Sequence, residues 1–133
     1  MLTLKNDFYK VTAQVEEGGL PQFTIKLNPQ HFIFKAHFPE EPVTPGVCLV
    51  QMAKELVETW TNRPLSITYV KNVKFLAVVS PVSTPEFDFQ INRLAETEDG
   101  QELAVQMTAT AMDKTTLVKL SFVCQPNDPT AGK

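Results

Sequence analysis

Apolar and polar residues alternate along most of this chain, and the alternation gives way in one stretch to irregularity and then to a helical period. Residues 8–16 (FYKVTAQVE) alternate loosely, as a strand does. The Gly18-Gly19 pair marks a turn, and residues 20–27 form a second strand with Phe23, Ile25 and Leu27 on one face. Residues 28–45 hold four of the ten prolines and show no period, so a long ordered loop is expected. Loops of that length within a compact domain are usually functional. From residue 45 the period becomes helical, with Leu49, Met52, Ala53, Leu56 and Trp60 on one face. Thr44 is expected as the N-cap, with Pro45 in the first turn, where its missing N–H costs nothing. Val47, Cys48 and Val50 extend the apolar surface, which predicts a helix buried at its start. Its second half, with Lys54, Glu55 and Glu58, is expected to reach solvent or a polar cleft.

After Asn62-Arg63-Pro64 the chain reads as β-rich. Strands are expected over 65–79, with a bulge near Lys71-Asn72, and over 86–94, with Phe87, Phe89 and Ile91 on one side. Two more follow over 102–112 and 115–124, after the hairpin-type turn at Asp99-Gly100. One buried helix among antiparallel strands suggests an α+β fold, a curved sheet wrapped around the helix. The expected organisation is one domain over 1–125, with a disordered tail over 126–133.

Composition narrows the function classes. A chain of 133 residues fits one core, and 43% hydrophobic with 20% charged residues is ordinary for a soluble globular protein. A net charge of −3 without a Lys/Arg cluster argues against nucleic acid as a partner. No apolar run approaches the roughly 20 residues that span a bilayer, so no membrane partner is expected. The start, MLTLKNDFYK, lacks the apolar core of a secretory signal. Cys48 and Cys124 have no metal-type spacing and read as buried free thiols, and a cytoplasmic location is expected.

The candidate chemistry lies in residues 31–51, HFIFKAHFPEEPVTPGVCLVQ. His37 is followed by Pro39, Pro42, the Pro45-Gly46 pair and Gln51, which places an imidazole in a proline-rich loop running into a helix N-terminus. Backbone N–H groups around Gly46 and Val47, with the positive end of the helix dipole, suit a carbonyl that gathers negative charge. Gln51 stands one turn beyond Val47 and one turn before Glu55. His31 reads as a loop-ordering residue or pocket wall, and Glu40 and Glu41 as solvated loop charges.

The string HFPEEPVTPGVCLVQ resembles the active-site segment of the hotdog-fold 3-hydroxyacyl-acyl-carrier-protein dehydratases. That family's pattern runs roughly G-H-F-P-G-x-P-x-x-P-G-v-x-x-x-E/D. It is matched here by His37, Phe38, Pro39, Pro42, Pro45, Gly46 and Val47 at unchanged spacing. VKNVKFLAVVSP also resembles the family's strand after the helix, which carries a K-F or R-F pair. Three positions depart from the pattern: Ala36 and Glu40 replace glycines, and Gln51 stands where the family has its catalytic carboxylate.

The resemblance implies a hotdog fold, an antiparallel sheet around a long central helix. It implies dehydration of 3-hydroxyacyl thioesters of acyl carrier protein or CoA, without metal or redox cofactor, in fatty-acid or related polyketide-like lipid synthesis. His37, Gln51 and Gly46 would be catalytic, and Phe38, Pro45, Val47 and Glu55 would contact substrate. Either His37 is the sole acid/base with Gln51 orienting the C3 hydroxyl, or Glu55 supplies the missing carboxylate, or the chain does not turn over. Two other functions stay open, an acyl thioesterase and a non-catalytic subunit that binds acyl carrier protein. A homodimer is implied, with a higher oligomer or heterodimer as alternatives, in which His37 of one chain faces Gln51 of the other.

Overall fold

The computed structural model describes residues 3–36 and 42–127. The elements run β1 (Tyr9–Glu17), β2 (Leu20–Leu27), α1 (Phe32–Ala36), α2 (Gly46–Thr61), β3 (Leu65–Phe75), β4 (Glu86–Glu96), β5 (Leu103–Ala111) and β6 (Thr116–Pro126). The six strands form one sheet of order β1-β2-β4-β5-β6-β3, antiparallel throughout. Leu20–Leu27 and Glu86–Glu96 alternate because one face is covered. Phe23, Ile25, Phe87, Phe89 and Ile91 are fully buried, in one core with Leu49, Met52, Ala53 and Leu56 of α2. The sheet therefore closes over the helix, an α+β hotdog arrangement.

The first hairpin turns through Gly18 and Gly19, both at positive φ, as the sequence predicts. Helix α2 ends where Asn62 takes the left-handed conformation and its N–H reaches back to the Glu58 carbonyl. Strand β3 carries two register shifts against β6, between Ile67 and Tyr69 and between Val70 and Asn72. The second lies at the expected bulge. Strands β1 and β3 are the two edges of the sheet among the described residues.

Several expectations need correction. The stretch 28–45 is not irregular throughout, because α1 occupies Phe32–Ala36; five residues are too few to show a helical period. Thr44 is not the N-cap. That position belongs to Pro45, with no side-chain cap, while the Thr44 N–H donates to the Val79 carbonyl at 2.7 Å. Val79 meets Thr44 outside the sheet, and β3 stops at Phe75 instead of 79. Of the solvent or polar cleft expected for Glu55, the structure shows the cleft: the side chain is 4% exposed and borders a pocket with Lys5, Glu58 and Arg63. Conversely Val47, expected in a buried first turn, is 59% exposed in the single chain. Strand β6 also runs past residue 124, with Pro126 paired to Leu65 and the Asn127 N–H bonded to the Pro64 carbonyl. The rest of the expected tail, 128–133, lies outside the described residues.

Candidate active site

The start of α2 shows why the sequence Thr-Pro-Gly-Val suits a carbonyl site. Pro45 sits at φ −59° and ψ 143°, outside helical geometry, and its carbonyl accepts from the N–H groups of Cys48 at 3.0 Å and Leu49 at 3.2 Å. Those are the first bonds of the helix. The N–H groups of Gly46 and Val47 precede them and meet no acceptor among the described residues. Two donors therefore remain at the positive end of a sixteen-residue helix.

Gly46 is held close to an aromatic ring. A Cβ at this position would stand 2.7 Å from Cζ of Phe75, inside van der Waals contact. Phe75 ends β3, is 52% exposed, and follows Lys74 in the K-F pair. Its ring thus packs over the helix start, and any larger residue at position 46 would have to displace it.

Gln51 and Glu55 are joined one turn apart. Nε2 of Gln51 donates to Oε2 of Glu55 at 2.8 Å. The same oxygen accepts the Leu4 N–H at 2.8 Å. The other oxygen accepts the Lys5 N–H at 2.9 Å and the Tyr9 hydroxyl at 3.0 Å. Four donors on two oxygens occupy the lone-pair sites a carboxylate offers, so none is left for a substrate hydroxyl. Tyr9 remains a phenol: burial first, then the Glu55 charge, pushes its pKa above the ordinary tyrosine value. The one carboxylate expected to reach the site thus fastens the N-terminal segment to α2.

His31 is also engaged structurally. Its Nδ1 accepts the Ile33 N–H at 3.1 Å, which leaves Nε2 to carry the proton toward Asp7 Oδ2 at 3.2 Å. Its ring meets the edge of Phe8 and stacks on Phe32. A largely apolar cavity of about 180 Å³ lies beside it, bounded by Leu4, Ile33 and Cys48 among others. A second, of about 350 Å³, opens at the far end of α2 beside Glu55 and Arg63. Neither is lined by Gly46, Val47 or Gln51.

Of the residues singled out in the sequence, Pro45, Gly46, Val47, Gln51 and Glu55 lie along the first three turns of α2 and the residue before it. His37 and Phe38, with Pro39, Glu40 and Glu41, lie outside the described residues. Phe75 and Tyr9 were not singled out. The K-F pair carried a signal for Phe75; nothing in the spacing of Tyr9 pointed to Glu55.

Residues 13–116 match the sequence profile of the ApeI-like family, described as ApeI dehydratase. The chain belongs to the ApeI-like dehydratase family. The matched span runs from β1 into β6 and includes the whole of α2. No curated protein matches the chain. Among solved structures, the dehydratase heterocomplex ApeI:P from Xenorhabdus doucetiae is similar at 17% identity and TM-score 0.58, covering 85% of this chain and 96% of that one. A hypothetical thioesterase protein from Streptococcus pneumoniae is similar at 9% identity and TM-score 0.62, over 92% of this chain and 93% of that one. A hypothetical thioesterase from the same organism, solved with coenzyme A, is similar at 7% identity and TM-score 0.54, over 90% and 85% of the two chains. These likenesses show the hotdog fold. Within this ApeI-like chain no helix of the described residues is long and apolar enough to cross a membrane.

Proposed function

We propose that this ApeI-like protein dehydrates 3-hydroxyacyl thioesters of acyl carrier protein or CoA to trans-2-enoyl thioesters, in fatty-acid or related polyketide-like lipid synthesis. The observation that carries the reading is the pair of unpartnered N–H groups at Gly46 and Val47, with Gln51 one turn further on. The thioester carbonyl lies against those donors and gathers charge as the C2 proton leaves. His37 takes that proton as neutral imidazole and returns it to the C3 hydroxyl, which departs as water while the C2–C3 double bond forms. Gln51 holds the C3 hydroxyl by a hydrogen bond. Glu55 is not the acid in this scheme, because its oxygens are already filled by donors.

The active unit in this reading is a homodimer, with a second chain along the edge strand β3. Tyr69, Val70, Phe75, Leu76 and Val78, on and just beyond that strand, are exposed apolar residues, as is Val47 at the helix start. A second copy would cover them and bring its own His37 loop to Gln51. The free, buried Cys48 and Cys124 fit a reducing cytoplasmic setting.

The test is mass-spectrometric detection of enoyl-acyl-carrier-protein from the 3-hydroxyacyl form, beside a His37→Ala control. Equal rates in the two proteins remove His37 from the mechanism. Release of free thiol without enoyl product would instead mark a thioesterase.

A second reading is favoured by the filled shell of Glu55, which leaves Gln51 without a neighbouring free carboxylate. Here the chain is a non-catalytic or half-site subunit that binds acyl carrier protein and is completed by an acid-bearing relative. A heterocomplex is the form named for the Xenorhabdus doucetiae neighbour. Turnover only on mixing with such a relative supports this second reading; turnover by the purified chain alone eliminates it.

A further inference from the structure

The bond between Gln51 and Glu55 does more than satisfy two buried groups; it sets which end of the Gln51 amide is free. A carboxylate only accepts hydrogen bonds, so the amide nitrogen must face Glu55, as Nε2 does at 2.8 Å. The carbonyl oxygen Oε1 is then turned away from Glu55, and no donor meets it among the described residues. Gln51 is only partly buried, and its oxygen is not among the buried side-chain atoms left without a partner in the described residues. Glu55 itself cannot turn to release the amide. Its two oxygens are held by the Leu4 and Lys5 N–H groups and the Tyr9 hydroxyl, and a half-turn of the carboxylate only exchanges two equivalent acceptors.

We propose that Glu55 is a positioning residue that locks the Gln51 amide with its oxygen toward the substrate, making the site selective for a thioester whose C3 group donates a hydrogen bond. This rests on the dehydratase reading and deepens it. A 3-hydroxyacyl thioester offers an O–H to Oε1 and is accepted. A 3-oxoacyl thioester sets a second acceptor against that oxygen and is rejected, because neither carbonyl can supply the proton. An unlocked glutamine would rotate its amide and serve either ligand. A carboxylate at position 51 would give the same acceptor at the cost of a second negative charge beside Glu55. The substitution of acid by amide and the burial of Glu55 therefore belong to one arrangement.

The test compares the two ligands at equilibrium, in a His37→Ala background that keeps the hydroxyl ligand from turning over. The expected preference for 3-hydroxyacyl over 3-oxoacyl is about fivefold or more, the worth of one neutral hydrogen bond. Gln51→Ala and Glu55→Gln should each bring the ratio near one, and the double variant should go no further than Gln51→Ala alone. Tyr9→Phe removes a different donor from Glu55 and should keep the preference while lowering stability.

Since Glu55→Gln also disturbs the N-terminal anchor, a second readout needs no folded variant at that position. In ¹⁵N-labelled protein with native Glu55, the Gln51 amide protons, assigned by their loss in Gln51→Ala, should exchange with solvent far more slowly than those of exposed glutamines. Free exchange at Gln51, or equal affinity for the two ligands, overturns the proposal. A protein that binds neither thioester but keeps the protected amide removes the dehydratase reading, and this selectivity with it, while leaving the Gln51–Glu55 lock standing.

Discussion

The Tyr9 hydroxyl donates to Oε1 of Glu55 at 3.0 Å, joining the first residue of β1 to the third turn of α2. Tyr9 is fully buried, and Glu55 nearly so. Together with the Leu4 and Lys5 N–H groups, this contact stabilises by hydrogen bonding a charge that would be costly to bury alone. The N-terminal segment is therefore part of the helix's environment, and the cost of burying Glu55 is met from residues about fifty positions away in the chain.

Tyr9→Phe should lower unfolding stability by about 1.5–3 kcal/mol, the range for a hydrogen bond to a charged group. Urea unfolding of the two proteins measures it. The wild type should also lose stability above about pH 10, where an unfolded tyrosine ionises. A phenol whose pKa is raised in the folded state contributes stability that is present below the unfolded pKa and lost as pH rises toward the folded one. Tyr9→Phe should flatten that loss, and an unchanged alkaline profile would contradict the assignment.

Cys124 gives a second alkaline signature in a lower window. It is fully buried near the end of β6, and burial pushes its thiol from 9.0 up to about 11, with nearby Arg63 opposing the shift. The folded state thus favours the protonated thiol, and its contribution is present below pH 9 and lost between 9 and about 11. A shift of that size corresponds to about 2–3 kcal/mol. Cys124→Ala should be less stable at neutral pH, from the cavity left, but should lose less on going to pH 11. Parallel pH–stability curves for the two proteins would refute this.

What the sequence made legible and what it hid divide along physical lines. Phe87, Phe89 and Ile91 alternate because one face of their strand is buried, and period two survives in the sequence. The same holds for Leu49, Met52 and Leu56 at helical spacing. The end of β3 was hidden, because the apolar run 75–79 looks the same whether it stays in the sheet or turns to meet Thr44. Helix α1 was hidden by its length, and its first turn is capped by a histidine side chain, an unusual acceptor for that place. For Glu55 the sequence leaves solvent and a polar cleft open, since a glutamate on a helix is usually exposed; its partners at Leu4, Lys5 and Tyr9 are invisible to local pattern. At the site, the motif marked Gly46 and Val47, but the Phe75 ring over Gly46 depends on how β3 crosses the helix start.

Gly46→Ala tests that crossing. The added methyl would push against the Phe75 ring, which is half-exposed and able to shift, so stability should change by no more than about 1 kcal/mol. Turnover should fall by about tenfold or more, because the donors and the ring that borders them would be displaced from the thioester. Adding Phe75→Leu to Gly46→Ala should recover part of the rate. A Gly46→Ala protein with full activity would show that close approach at the helix start is not needed.

Gln51→Glu restores the acid the family pattern carries, but it does so against Glu55. The new carboxylate would stand where Nε2 now lies, 2.8 Å from a Glu55 oxygen, and like charges that close cannot both ionise freely. Its folded pKa would be raised above the unfolded value of about 4.3, so its favourable contribution is full below that pH and lost as pH rises. The variant should therefore match wild type near pH 4 and be about 2–4 kcal/mol less stable at pH 7, which thermal or urea unfolding at the two values measures. Equal stability at pH 7 would mean that Glu55 and residue 51 are not in contact. Turnover read on the same protein separates the functional readings. A sharp gain means the scaffold is poised for acid catalysis and that the natural amide attenuates it. A fall below wild type means that the neutral amide, held by Glu55, is the group the reaction uses.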